Sequence, residues 1–222
     1  MIYDKLAPYY DQFIDPELND TYFEWVTKYA QPGTILDLGC GTAPLAVRLA
    51  NEGYFVTGTD ISEAMLERAM NNAVEHDVDI RFYLHDILEP ISQTYDVILM
   101  TSDVINYLRD LDEVAQALGH VADAMTEDSI FLFDFIHIQY VERIHNYHED
   151  ILLDDDVLQW SVRKTNEPHQ IKHTLSFGRQ SDSHLQTTHP QRVYKRLLDE
   201  AGLKVVKKRR TEERIIFLCK RK

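Results

Sequence analysis

The chain has 222 residues, 44% hydrophobic, 10% aromatic and 27% charged, which excludes the disordered, collagenous and membrane classes. Lys and Arg number 23 against 37 Asp and Glu, and the net charge of −14 argues against tight binding to a bare phosphate backbone. Two cysteines far apart, Cys40 and Cys219, form no CxxC pair, so neither a disulfide framework nor a structural zinc site is expected. The start, MIYDKLAPYYD, is acidic and lacks the apolar stretch of a signal peptide. The longest apolar runs, such as Val97–Met100, fall far short of a membrane span. A cytoplasmic protein, monomer or homodimer, is the default expectation.

Asp15-Pro16 reads as a helix start, followed by Leu18, Tyr22, Trp25, Val26 and Tyr29 at helical spacing until Pro32-Gly33. Thr34–Leu38 is a short buried strand ending at Gly39. A helix over Ala43–Asn51, a strand over Tyr54–Thr59, a helix capped by Ser62 and strands over Asp79–Leu84 and Tyr95–Met100 follow. Leu111, Val114, Ala115, Leu118, Val121, Ala122 and Met125 mark the clearest amphipathic helix, and Ser129–Phe135 a fifth strand. Strands and helices thus alternate over residues 1–136, the pattern of a parallel sheet with helices on both faces.

The rhythm changes between Tyr147 and Thr188, where apolar residues alternate in short pieces separated by turn signals at Asn166-Glu167-Pro168 and Gly178–Ser183. Two to four antiparallel strands are expected there, as decoration of a sheet edge or as a cap over a cleft. A helix over Gln191–Ala201, with Gly202 past its end, and strands over Leu203–Lys207 and Ile215–Lys220 complete the chain. The predicted fold is therefore an α/β core over 1–136, an inserted β cap over 137–190, and a helix and strand pair over 191–222 that complete the core sheet.

Five of the eight glycines fall between Gly33 and Gly58. In Ile35-Leu36-Asp37-Leu38-Gly39-Cys40-Gly41-Thr42-Ala43-Pro44 a strand ends in an acid, turns on two glycines and opens a helix, so backbone N–H groups and a ligand approach closely. Asp60, at the end of the second strand, is placed to accept hydrogen bonds from both hydroxyls of a ribose. A dinucleotide fold prefers G-x-G-x-x-G, but Pro44 occupies the third glycine position and Asp37 would repel a pyrophosphate. An amine-bearing or cationic ligand suits the acid better, and S-adenosyl-L-methionine (SAM) carries a sulfonium, an amine and a ribose without phosphate.

These residues resemble those of class I SAM-dependent methyltransferases, whose first strand ends in D/E-x-G-x-G, matched by Asp37, Gly39 and Gly41; Ala43 departs mildly from the family's extra glycine. The resemblance covers roughly 1–136 and the last three elements, and implies a Rossmann-like sheet of seven strands with the last antiparallel. It also implies SAM binding through Asp37, Gly39, Cys40, Gly41, Asp60, Ile61 and Met65, with Asp86 and Ile87 at the adenine and Ser102 after the fourth strand. The N-terminal segment with Tyr3, Asp4, Leu6, Ala7, Tyr9, Tyr10 and Asp11 is similar to a subgroup pattern that folds over SAM; Tyr10 either approaches the cofactor or packs under the first helix. Asp103-Val104-Ile105-Asn106-Tyr107-Leu108 resembles the subgroup's D-x-x-N-Y-L, so Asp103 and Asn106 line the cleft, unless Asp103 only caps the next helix.

Methyl transfer requires alignment and exclusion of water, and a hydroxyl acceptor also needs a base. Seven of ten histidines lie after residue 136. Asp103, His137 after the fifth strand, and His189 in an H-x-x-R-x-Y stretch are the candidate catalytic residues, and Asn106, Arg192 and Tyr194 the candidate acceptor-binding residues. The structural alternative has His189 capping a helix and Arg192 pairing with an acid. A metal site from His145, His148 and Glu149 is disfavoured. Lys207-Lys208-Arg209-Arg210 reads as a solvated hairpin turn rather than an RNA site. The expected partner is a small-molecule acceptor, not nucleic acid, and the expected product is S-adenosylhomocysteine (SAH). The alternatives are a non-catalytic SAM sensor and, less favoured, an NAD-dependent oxidoreductase. The charge divides into −19 over 1–136, −1 over 137–206 and +6 over 207–222, so the acidity belongs to the cofactor body rather than the cap.

Overall fold

A computed structural model describes residues 9–153 and 157–222. The N-terminal Tyr3, Asp4, Leu6 and Ala7 pattern lies outside the described residues. A 3-10 turn, Tyr10–Phe13, leads into α1, Pro16–Tyr29. Pro16 supplies a preset φ, and Asp15 Oδ1 accepts the Glu17 and Leu18 N–H groups at 2.9 and 3.3 Å, the capping expected of Asp-Pro.

Then follow β1 (Thr34–Leu38), α2 (Pro44–Asn51), β2 (Phe55–Asp60), α3 (Glu63–Glu75), β3 (Arg81–Leu84), β4 (Tyr95–Met100), α4 (Leu111–Asp123) and β5 (Met125–Ile136). After them come α5 (Ile138–Arg143), β6 (Tyr147–Leu152), β7 (Val157–Lys164), β8 (Gln170–Phe177), β9 (Gln180–Thr187), α6 (Gln191–Glu200), β10 (Leu203–Arg210) and β11 (Arg214–Arg221). The main sheet runs β10-β11-β5-β4-β1-β2-β3, with β11 antiparallel to both its neighbours. A second sheet, β6-β7-β8-β9, is antiparallel throughout.

The central strands are largely apolar on both faces because both faces are covered. Ile35, Val97, Leu99, Ile130 and Leu132 pack toward α1, α2 and α3, while Leu36, Ile98, Phe131 and Phe133 pack toward α4 and α6. The chain leaves β3 at one edge and returns on the other side of β1 as β4. The β1–β4 boundary is thus the point where strand order reverses, and a crevice opens at the carboxyl ends of the strands there.

Two local readings need correction. Lys207–Arg210 lie within β10 rather than in a turn, because the strand continues past a bulge between Val205 and Lys207. Their cations are engaged along that edge: Lys207 sits 4.2 Å from the Trp25 ring centroid and Arg209 Nη1 donates to Thr21 Oγ1 at 2.7 Å. The short helix α5 went unread, since six residues are too few to show a period.

Candidate active site

A cavity of about 950 Å³ opens at the β1–β4 boundary, between the main sheet and the inserted one. Its core side carries Gly39 and Gly41 after β1, Asp60 at the end of β2 and Ile61 after it, Asp86 and Ile87 after β3, and Ser102 and Asp103 after β4. Met65 on α3 and Tyr10 on the N-terminal turn complete that wall. Both glycines are left-handed, with φ of +72 and +56 degrees. A Cβ on Gly39 would lie 2.5 Å from Val104 Cγ2, so the loop is built for a residue without a side chain.

Asp60 is held in place by the backbone. Its Oδ2 accepts the Gly41 N–H at 2.9 Å and its Oδ1 the Ser62 N–H at 2.9 Å. Burial raises its pKa, and the N–H donors from Ser62, Gly41 and Ile61 oppose that rise. Asp37 lies behind the wall, 3% exposed, and burial together with the neighbouring Asp60 pushes its pKa up to about 7. Cys40 is also behind the wall, with Sγ packed near Gly58 and the thiol pushed up by burial.

The loop after β4 holds two consecutive left-handed non-glycine residues, Ser102 and Asp103, at φ of 58 and 59 degrees. What holds them is a buried ion cluster. Arg214 of β11 contacts the Asp103 carboxylate and donates to Asp134 Oδ2 at 3.0 Å. The Asp103 N–H meets both Asp134 oxygens at 3.3 Å, and Gln186 of the inserted sheet donates to Asp103 Oδ2 at 2.7 Å. Burial raises the Asp134 pKa against the opposing pull of Arg214. Arg214 itself is held firmly protonated, the two carboxylates outweighing its burial. Asp103 therefore reaches the cavity as an already paired carboxylate. It is no side-chain cap of the following turn, and it is not free to serve as a base.

The opposite wall belongs to the inserted sheet. Tyr147, Trp160, His173 and His184 face the cavity, one from each of its four strands, with Leu158, Ile171 and Leu175 between them. The N-terminal turn fits between this sheet and the core, with Tyr9 and Tyr10 packed toward Leu158 and Leu175. Burial lowers the pKa of both His173 and His184, the latter to about 4 with His173 contributing, so both rings are neutral at pH 7.

The structure thus brings together Tyr10, Gly39, Gly41, Asp60, Ile61, Met65, Asp86, Ile87, Ser102 and Asp103 on one cavity. Asp37 and Cys40 lie behind its wall, and five further expected residues are elsewhere. His137 caps α5, its Nδ1 accepting the Gln139 N–H at 3.2 Å, and its pKa is lowered by burial and by Arg210 and Arg143. His189 sits edge-on to Tyr194 at 5.9 Å, away from the cavity. Tyr194 is fully buried 4.1 Å from the Phe135 ring, and Arg192 is exposed on α6. Asn106 is fully buried as a brace: its Oδ1 accepts the Ile136 N–H and its Nδ2 donates to Thr187 O, both at 2.9 Å. Such satisfied amides hold loops together and leave nothing for a ligand. Among the described residues, no group of three or more metal-ligating side chains comes together. No helix among them is long and apolar enough to cross a membrane.

Sequence alone does not single out Arg214, Gln186 or Trp160, and it offers His173 and His184 only among the seven histidines after residue 136. Arg214 was visible as a cation opening an apolar strand, and the cap residues as inward members of a two-residue alternation.

The family model described as methyltransferase domain matches residues 31–202, more than half of the chain. The chain belongs to the methyltransferase-domain family. A relative from Geobacillus sp. strain WCH70, named a methyltransferase, is 33% identical over 100% of both chains. Among solved structures, a SAM-dependent methyltransferase from Clostridium acetobutylicum superposes with a TM-score of 0.85 at 22% identity, over 99% of each chain. A SAM-bound amino pentose methyltransferase from Micromonospora echinaspora gives 0.79 at 16%, over 100% of this chain and 97% of that one. The fold is that of the SAM-dependent methyltransferases, with seven strands in the core sheet and a four-stranded antiparallel insertion.

Proposed function

We propose that this methyltransferase binds SAM on the core side of the cavity and transfers its methyl group to a small-molecule acceptor held under the inserted sheet. One observation carries the reading: the glycine loop, Asp60 and Asp86 share a single cavity with the rings of the insertion. In this reading residues 1–136 and 191–222 form the cofactor core and 137–190 the acceptor cap.

The wall suits SAM. Asp60 and Asp86 offer carboxylates to hydroxyl and amino donors, while Ile61, Met65, Ile87 and Leu88 offer apolar surface to a flat base. Arg109 and Arg214 are the lysines and arginines found among the described lining residues, and each is paired with an acid. A dinucleotide's phosphates would find no uncommitted cation there, which disfavours NAD. When bound, SAM supplies a methyl group on an already activated sulfonium leaving group.

The chain's residues do the rest. Gly39 and Gly41 let the backbone approach the ligand. Asp60 orients the ribose through a carboxylate fixed by two N–H groups. Asp37, two residues before Gly39 and strongly desolvated, adds negative potential that favours a cation in the cavity. Asp103, clamped by Arg214 and Gln186, joins the β4 loop to the cap, so acceptor and cofactor surfaces keep a fixed separation. The cap excludes water.

The test is methyl-labelled SAM supplied with cell extract split into small-molecule, protein and RNA fractions. Label in the small-molecule fraction is expected. Label confined to protein or RNA would overturn the acceptor class. SAM binding without transfer to any fraction would favour a sensor.

A further inference from the structure

The cap wall of the cavity is a ladder of rings. Tyr107 lies 5.4 Å from His184, His184 is stacked on His173 at 4.8 Å and 1 degree, His173 on Trp160 at 5.8 Å, and Trp160 meets Tyr147 edge-on at 5.2 Å. The register builds it: His173 and His184 are direct cross-strand partners, and Tyr147 is opposite Val162, itself opposite His173, which puts all these side chains on one face. The ladder's rings line the cavity, with Trp160 also packed against Leu158 and Ile171 beneath.

Its hydrogen bonding is directional. Trp160 Nε1 donates to His173 Nδ1 at 3.1 Å, so in the neutral ring the proton resides on Nε2. His173 is 7% exposed and lines the cavity, and its buried Nε2 makes no hydrogen bond of ordinary geometry, the polar side chain beside it being Gln186, which is itself held by Asp103. A buried donor so poorly aligned to its protein neighbour gains from a better placed ligand oxygen.

Acids outnumber cations around the ladder, where Arg214 faces His173 but is paired with Asp103 and Asp134. Seven acids line the cavity, namely Asp15, Asp60, Asp86, Asp103, Glu113, Asp182 and Glu213, against two arginines already paired with acids. Near the ladder lie Glu213, Asp182 and Asp103. Electron-rich ring faces together with surplus carboxylate attract cations and repel anions.

We propose that the ring ladder is an ammonium-recognition subsite, taking a small molecule that bears a protonated amine and an uncharged oxygen. The amine lies over the Trp160 and Tyr147 faces within the field of Glu213, and the oxygen accepts from His173 Nε2. The inference rests on the acceptor cavity proposed above and goes beyond it in naming the chemical class. Carboxylates and phosphates are rejected by the same field.

The test is calorimetry on the SAH-saturated protein with three probes of one shape: tyramine, its carboxylate counterpart 4-hydroxyphenylacetate, and phenethylamine, which lacks the hydroxyl. Tyramine is expected to bind at least tenfold more tightly than the carboxylate and several-fold more tightly than phenethylamine. Glu213→Gln, an isosteric change at an exposed residue that removes the charge and keeps an acceptor oxygen for Tyr140, is expected to weaken both amines several-fold and leave SAH affinity unaltered. Trp160→Phe is expected to weaken them less than Trp160→Ala. Equal or tighter binding of the carboxylate, absence of amine binding at 10 mM, or amine binding untouched by both Glu213→Gln and Trp160→Ala would each overturn the proposal. SAH titration of the same samples keeps the two proposals apart, since loss of SAH binding by wild type would instead refute the cofactor reading.

Discussion

Asp37→Asn removes a buried carboxyl whose proton is in play at neutral pH. Its pKa of about 7 in the free protein follows first from burial and then from Asp60, and a cationic ligand in the adjoining cavity favours the ionised form. Binding SAM must then release a proton. If the liganded pKa falls below about 5, release is roughly 0.9 proton per SAM at pH 6, about 0.5 at pH 7 and about 0.1 at pH 8. Affinity accordingly rises about tenfold from pH 6 to pH 8. SAH, without the sulfonium charge, should release less. The assay is calorimetry in buffers of differing ionisation enthalpy, which yields protons released directly, on wild type and Asp37→Asn. The variant should bind SAM more weakly, with little release and a flat pH profile between 6 and 8. Stability moves the other way. A carboxyl whose native pKa lies above its ordinary 3.8 stabilises the fold at low pH and loses that contribution as pH rises through about 7. The unliganded variant should therefore be the more stable at pH 8, by up to about 4 kcal/mol. Equal proton release by wild type and variant, or a wild-type affinity that falls from pH 6 to pH 8, would refute the reasoning.

Gly39→Ala forces a Cβ to within 2.5 Å of Val104 in a left-handed backbone, and SAH titration should show at least a tenfold loss of affinity. Arg214→Met leaves Asp103 and Asp134 buried without their cation, and denaturant unfolding should record a loss of about 3–5 kcal/mol. That loss should shrink at low pH, where Asp134, its pKa raised by burial, protonates. His137→Ala and His189→Ala remove groups outside the cavity, so turnover of the identified acceptor should stay within about threefold of wild type.

The cofactor wall was legible in the sequence because each of its parts is local. Asp37-x-Gly39-x-Gly41, Asp60 and Asp86 each close a strand of the parallel sheet, so the ends of three apolar runs identify them without tertiary knowledge. Even so, strand position did not say which side of the loop a residue faces, and Asp37 and Cys40 lie behind the wall. The acceptor wall was illegible for a different reason. Trp160, His173 and His184 meet through cross-strand pairing, and the register that joins them is absent from the spacing of 13 and 11 residues. Counting histidines near strand ends pointed instead to His137 and His189, one a helix cap and one packed against Tyr194. Asp103 was visible, but its cation lies 111 residues away in β11. Only the antiparallel pairing of β11 with β5, which sets Arg214 opposite Ile136, brings them together.

The most direct measurement is titration of wild type and Asp60→Ala with SAM and SAH. Wild type should bind both with one site per chain, and Asp60→Ala should lose at least tenfold in affinity while keeping its fold by circular dichroism. Absence of binding by wild type, or unaltered binding by a folded Asp60→Ala, would contradict a SAM site built on the glycine loop and Asp60.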